Sequence, residues 1–472
     1  MSSSQLLQRF EGRLVLLGFG CIGQGVLPLI RRHIDLDPRR VVVLSPDPHG
    51  QAFAEAQGVQ FRRIGLDAAN YRDELAPLLD AGDFLLNLSV NVSSLALLEF
   101  CRERGVLYLD TCIEPWAGGY TDPRRTLSQR CNQALRESVL ALRRPGEDAP
   151  TALLTHGANP GLVSHLVKQA LLNLAAGLGQ PVSAPTEREA WAALAERLAV
   201  RCIHIAERDS QQGLRRKVDD EFVNTWSIDG FISEACQPAE LGWGSHEQRL
   251  PSDGLRHESG CQASIYLQRP GAVTQVRSWT PSIGPTLGYL ISHGESISLA
   301  DYFTLGTGSN PRYRPTVHYA YQPCNDALLS LHELAARNWR PQRQARLLDA
   351  DIIGGRDELG VLLLGHERQA YWYGSRLSIE EARELCPQNS ATSLQVTASV
   401  LAGVVWAMAN PRRGILEPEE LPFAEMLDLI RPYLGEVAGF YADWNPLQDR
   451  GRLMDEELDR DDPWQFVNFL VS

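Results

Sequence analysis

The run Gly18-Phe19-Gly20-Cys21-Ile22-Gly23 constrains this chain more than any other feature. It follows the apolar segment 13–17, which reads as a buried strand, and precedes a stretch where Val26, Leu29 and Ile30 mark a helix. Strand, G-x-G-x-x-G and helix, in that order, form a phosphate-binding turn. The first glycine permits the tight turn, the second lets backbone approach a pyrophosphate, and the third lets the helix lie close to the sheet. Backbone N–H groups and the helix dipole then face the phosphate charge. Gly18, Gly20, Cys21, Ile22 and Gly23 are therefore candidate cofactor contacts.

Further βα units follow. Segment 41–44 reads as the second strand, and Ser45, Pro46 and Asp47 come after it. A dinucleotide fold often places an acid here to hold the adenosine ribose. Asp47 is either that ligand or a turn residue before Pro48, and the absence of an arginine directly after the strand favours NAD over NADP. Segments 83–88 and 105–111 are the next strands, separated by a helix carrying Leu95, Leu98 and Phe100. Ligands sit at the carboxyl ends of parallel strands, which places Asn87, Ser89 and Thr111 near the nicotinamide half of the cofactor. The same three side chains would serve equally well as hydrogen-bond partners of loop backbone. Glu114-Pro115-Trp116 puts a carboxylate and an indole at the mouth of the crevice, unless Glu114 is held in a structural ion pair. A strand at 152–155 then leads to Asn159-Pro160-Gly161 at a helix entrance. Asn159 either orients an amide or reacting nitrogen there, or caps the helix.

At 472 residues the chain exceeds one ordinary core, so two or three domains are expected. Apolar residues at 44% and charged residues at 22% exclude wholesale disorder. No stretch approaches the roughly 20 apolar residues of a membrane span, and the N-terminus lacks a secretory pattern. The nine cysteines are scattered without C-x-x-C spacing, as expected for reduced thiols in a cytoplasm, and no spacing points to a metal. A formal charge of −13 argues against a nucleic-acid partner. It favours cations only weakly.

Beyond residue 161 the chain changes character. Thr186-x-x-Glu189 has the form of a capping box, with Trp191, Leu194 and Leu198 on one face of the helix it would open. Segment 201–206 alternates as a strand and delivers Glu207. Segment 222–227 reads as a strand containing Trp226, with Glu234 soon after. His293, Glu295 and Asp357 stand in Ser292–Ser296 and Asp357–Gly360 runs. Short alternating strands at 316–321, 360–364 and 371–374 predict a mixed or antiparallel sheet. The fold class is thus α/β, a Rossmann-type doubly wound parallel sheet followed by an α+β substrate domain on a mixed or antiparallel sheet. If its acids and indole converge, the second domain suits a diamine. Each ammonium wants a carboxylate, and a cation over an indole gains about 0.5–2 kcal/mol.

The runs GFGCIG, YLDTCIEPWAGGY, THGANPGLVSH, IHIAERDSQ, FVNTWSIDGF, SHGES and DELGVLLLG together resemble the bacterial homospermidine synthases, across about 13–365. Saccharopine and carboxynorspermidine dehydrogenases are the wider relatives, and this resemblance implies that the α+β substrate domain is inserted in the nucleotide domain. The resemblance implies a homodimer that keeps NAD bound while it joins two putrescines. One is oxidised to an imine, ammonia leaves, the second condenses, and the Schiff base is reduced to homospermidine. It further implies that Trp226 holds a cationic intermediate by its π face and that Glu207 and Glu234 bind ammonium groups. Glu114 lies near the entrance, Asn159 near the reacting carbon, His293 and Glu295 form an inner pair, and Asp357 is a further substrate contact. We assign proton transfer to His293, because an ordinary imidazole pKa near 6.5 serves both directions. The implied domains are 1–160 for NAD with a late return near 390–415, 161–389 for substrate and dimerisation, and 416–472 as a C-terminal extension. The apolar stretch 397–408 is the candidate for the return, and the acidic stretch 455–462 reads as solvated surface.

Two rivals predict different chemistry. A saccharopine- or carboxynorspermidine-type dehydrogenase handles carboxylated substrates and needs arginines with bidentate geometry. Only Arg201 and Arg208 lie near the candidate segments in sequence. A dinucleotide-dependent sensor would tolerate replacement of Trp226 and His293.

Overall fold

The computed structural model describes residues 6–144, 146 and 148–471. A seven-stranded sheet, parallel throughout, runs in the order Ile415–Leu416, Ala152–Leu153, Leu107–Asp110, Phe84–Asn87, Leu14–Leu17, Val41–Ser45, Gln60–Arg63. The order reverses on either side of Leu14–Leu17, so the crevice that receives ligands opens where the glycine-rich turn begins. The outermost strand, Ile415–Leu416, comes from late in the chain.

The second sheet is mixed and ten-stranded. Its centre is Cys202–Asp209, parallel to Thr316–Gln322 on one side and antiparallel to Arg356–Leu364 on the other. Sequence alternation predicts short, half-exposed strands here. Instead these strands have seven to nine residues and are buried almost end to end. The reason is that both faces are covered. Ile203, Ile205, Val317, Leu359 and Val361 face the first domain, whereas Cys202, Ala206, Leu362 and Trp372 pack on Phe469 behind. Within 416–472, Glu436–Ala442 forms an edge strand of this sheet, and the helix Phe466–Phe469 lies against its rear face.

Two helices, Leu162–Gly177 and Ala391–Ala409, join the sheets into one continuous apolar cluster running from Leu16 and Val43 through Leu166 and Val404 to Ile205. Ala391–Ala409 has the length and apolarity to cross a membrane, but 94% of that stretch is buried within the protein. The helix read at 397–408 is thus longer than its sequence pattern, starting at a Ser390 capping box. The capping box read at Thr186 does not form. The helix is Arg188–Arg197 with Glu187 at its N-cap. There the Arg188 guanidinium donates to the Tyr302 carbonyl at 3.0 Å, a tertiary tie that overrides the local signal. In the acidic stretch, Asp462 is not wholly given to solvent, since it pairs with Arg201 at 3.3 Å.

Candidate active site

The glycine-rich turn has the shape a dinucleotide needs. Gly18 has φ +89°, and any Cβ there would press on the Leu88 carbonyl. Gly20 opens onto free space and N-caps the 13-residue helix Cys21–His33 without a side-chain cap. No acid stands in the first turn, so the N–H groups are left for an anion. The Cys21 thiol, pushed up to about 11 by burial, lies beside the backbone of Ser227. The cofactor turn thereby meets the segment that carries Trp226.

Around the turn, Asp47 is exposed and its carboxylate accepts the His49 N–H at 2.9 Å, the geometry of a turn residue. Asn87 is buried, accepts from the Ser89 N–H and hydroxyl, and donates to the Tyr108 hydroxyl at 3.2 Å. Both side chains have loop partners. Thr111 lies against Gly157. The loop carrying Asn159 is pinned by buried Asp110, whose carboxylate accepts the Thr155 N–H at 2.7 Å. Gly161, not Asn159, N-caps the following helix, and a Cβ at Gly161 would collide with the Gly157 carbonyl. Asn159 is therefore free to turn elsewhere, and its amide donates to Glu207 at 3.2 Å.

Glu207 stands at the carboxyl end of Cys202–Asp209, and pairing places its neighbours on the same face. Glu207 is opposite Tyr321 and Leu359, and Asp209 is opposite Asp357. Three buried carboxylates thus share one patch. Glu207 accepts the Tyr319 hydroxyl at 2.5 Å, and Asp209 accepts from Thr225 and Gln211. Asp357 accepts from Thr392 and lies within hydrogen-bonding reach of Glu207. Burial raises all three, and repulsion by neighbouring carboxylates adds to it for Glu207, raised to about 7, and for Asp357, held well above its usual range. Arg208 alternates to the opposite face.

A second group lies across Tyr319. His293 Nε2 is 2.9 Å from Glu234 and Nδ1 is 3.4 Å from Glu295, whose side chain is wholly buried. Burial disfavours charge on the ring, but the two carboxylates outweigh it and hold the imidazolium well above its usual range. This corrects the reason for choosing His293. Its titration does not lie near neutrality, so in this state it is a standing cation rather than a two-way shuttle. The ring lies 4.4 Å from that of Tyr319, which stacks on Tyr321 at 5.3 Å and 7°.

Trp226 is not on a strand. Glu221–Asn224 ends first, Trp226 occupies the turn, and Ser227 caps the helix Ile228–Cys236 that presents Glu234. The indole N–H donates to the Tyr321 hydroxyl at 3.2 Å. Glu114 is buried without an ion pair, accepts the Asn91 N–H at 3.2 Å, and is raised to about 7 by burial and by Glu234. It lines a cavity of about 900 Å³ together with Ile113, Trp116 and Gln129.

The structure therefore gathers Asn159, Glu207, Trp226, Glu234, His293, Glu295 and Asp357 along one wall, with Glu114 beside Glu234. Sequence reasoning missed Tyr319, Tyr321 and Asp209. Alternation within 316–321 puts both tyrosines on one face, and Asp209 shares a face with Glu207, so period two was the available signal.

Comparison with known proteins agrees with this geometry. Family models for the saccharopine dehydrogenase NADP-binding domain and C-terminal domain match residues 14–154 and 157–440. A homospermidine synthase of Blastochloris viridis is 52% identical, covering all of both chains. That of Mesorhizobium japonicum is 49% identical over 98% of this chain and 96% of its own. The crystal structure of a homospermidine synthase from Legionella pneumophila in complex with NAD superposes with a TM-score of 0.90, at 48% identity and 98% coverage of each chain.

Proposed function

This chain belongs to the homospermidine synthases, within the saccharopine dehydrogenase family, and from that premise we propose how its pocket joins two putrescines. The cofactor is NAD, which the turn Gly18–Gly23 and the N–H groups after Gly20 would hold by its phosphates. Bound there, it would supply a hydride acceptor for the first diamine and a hydride donor for the Schiff base. The protein does the rest.

One observation carries the reading: Glu207, Asp209 and Asp357 are buried together and, among the described residues, none of the three is in an ion pair, although the charge of His293 reaches Glu207. A patch of that kind is complementary to an ammonium group and to little else. Glu207 and Asp357 bind one end of the diamine, and Asn159 orients the reacting nitrogen beside Glu207. Glu207, raised to about 7, takes the proton that the reacting ammonium must lose. Trp226 backs the cationic Schiff base with its π face. Glu234 and Glu295 bind the distal ammonium while His293 offsets their charge. Glu114 meets diamines arriving from the cavity it lines. The absence of a bidentate arginine among these residues disfavours a carboxylated substrate. We further propose a cytoplasmic homodimer, with 1–160 and the return near 390–415 as the NAD domain, 161–389 as substrate domain and 416–472 completing it.

Incubation of the protein with putrescine and NAD, followed by mass spectrometry and absorbance, tests the assignment. Homospermidine and ammonia without lasting NADH is the expected result. Steady NADH release with no triamine would make this an amine dehydrogenase instead.

A further inference from the structure

We infer that Tyr319 is a positioning residue of this reaction, whose hydroxyl aims Glu207 at the reacting nitrogen and whose ring seats His293. The inference rests on the reading of Glu207 given above. Three contacts carry it. The hydroxyl donates to Glu207 Oε2, the same oxygen that receives the Asn159 amide at 3.2 Å. The ring lies 4.4 Å from the His293 ring at 44°. On its other side it stacks on Tyr321, which holds the Trp226 indole through a 3.2 Å hydrogen bond. Tyr319 thus touches Glu207 in one group, His293 in the other and, through Tyr321, the indole.

The residue is buried and its hydroxyl makes a charge-assisted bond, so it resists rotation. Facing Glu207 are Asp209 from its own strand, Tyr319 and Tyr321 from one neighbour, Asp357 from the other, and His293 and Asn159 from loops. Of these, the tyrosine hydroxyl, His293 and a hydrogen bond from Asp357 favour the ionised carboxylate, the hydroxyl most, whereas burial and Asp209 oppose it. Removing the hydroxyl therefore moves Glu207 toward the protonated form. It also frees the carboxylate to rotate away from Asn159.

Tyr319→Phe keeps the ring and deletes the hydroxyl, which isolates the effect. In holoenzyme we expect the acid limb of kcat/KM for putrescine to move up by about one pH unit, with about a fivefold loss at pH 7 that approaches tenfold well below it. NAD affinity and the unfolding midpoint stay unchanged. In a Glu207→Gln background, read by calorimetry of putrescine binding, Tyr319→Phe adds no further loss. An acid limb left in place, or a full second loss in the Glu207→Gln background, overturns the inference while leaving the Glu207 assignment intact. Wild-type turnover in Glu207→Gln alone overturns both.

Discussion

The two carboxylate groups of the pocket are built from the same residue types, lie on either side of Tyr319, and are in opposite electrostatic states. Glu234 and Glu295 enclose His293, so the protein supplies its own cation. Glu207, Asp209 and Asp357 have hydroxyls and amides for direct partners and, among the described residues, no ion pair, with His293 acting on Glu207 only from across Tyr319. In the first group one of the two carboxylate charges is already offset before a ligand arrives. The second can lower its repulsion only by taking up protons or by receiving an ammonium. That difference assigns the strongest demand for substrate charge to the strand end at Glu207, and it makes the stabilities of the two groups respond oppositely to the same kind of substitution.

Neutralising one member of each group gives the largest contrast. Glu207→Gln removes repulsion from a crowded patch, so the unfolding free energy should hold or rise, while kcat/KM for putrescine falls at least about a hundredfold for a lost buried charge pair. His293→Gln leaves Glu295 buried without its cation and should cost about 3–5 kcal/mol in urea unfolding. Destabilisation of similar size in both proteins would break the comparison, because it would mean that the Glu207 patch is already compensated.

The indole offers a smaller test of where the cation rests. Trp226→Phe keeps a π face but loses the N–H bond to Tyr321, and should lower kcat/KM a few-fold. Trp226→Ala loses the face as well, and about 1–2 kcal/mol corresponds to a loss of roughly five- to thirtyfold. Equal rates of homospermidine formation in all three proteins would remove the cation–π role.

How much of this was legible beforehand follows from the range of the interactions. The glycine-rich turn is a local device, so its residues and its flanking strand and helix are readable from a few positions around Gly18. The acids of the pocket other than Asp209 were readable as candidates, but their convergence depends on register. Tyr321 meets Glu207, and Asp357 meets Asp209, across more than a hundred residues of chain. Alternation at 316–321 shows two tyrosines on one face without saying which face is inward. The charge state of His293 was misjudged for the same reason, since it is set by Glu234 and Glu295 rather than by the imidazole. At Thr186 a local cap signal lost to Arg188, whose contact with the Tyr302 carbonyl no nearby residue announces.

The smallest effect is a pH dependence, and it separates the groups without any substitution. Glu207 and Glu114 are raised from 4.5 to about 7 in the folded protein. A raised acid binds its proton more tightly when folded, so its contribution to stability is complete below about pH 4.5 and is lost as pH rises through 7. The unliganded protein should therefore lose stability between about pH 6 and 8. Putrescine remains a dication across that window, and an ionised carboxylate is what it binds. The affinity should rise by up to about tenfold per raised acid over those two pH units, and the putrescine-induced shift in unfolding midpoint should grow with it. His293 stays charged throughout this window, so its group enters the trend only through Glu234, which helps raise Glu114. A midpoint shift of equal size at both pH values would place the bound diamine against Glu234 and Glu295 alone, and would reverse the assignment of the two ends.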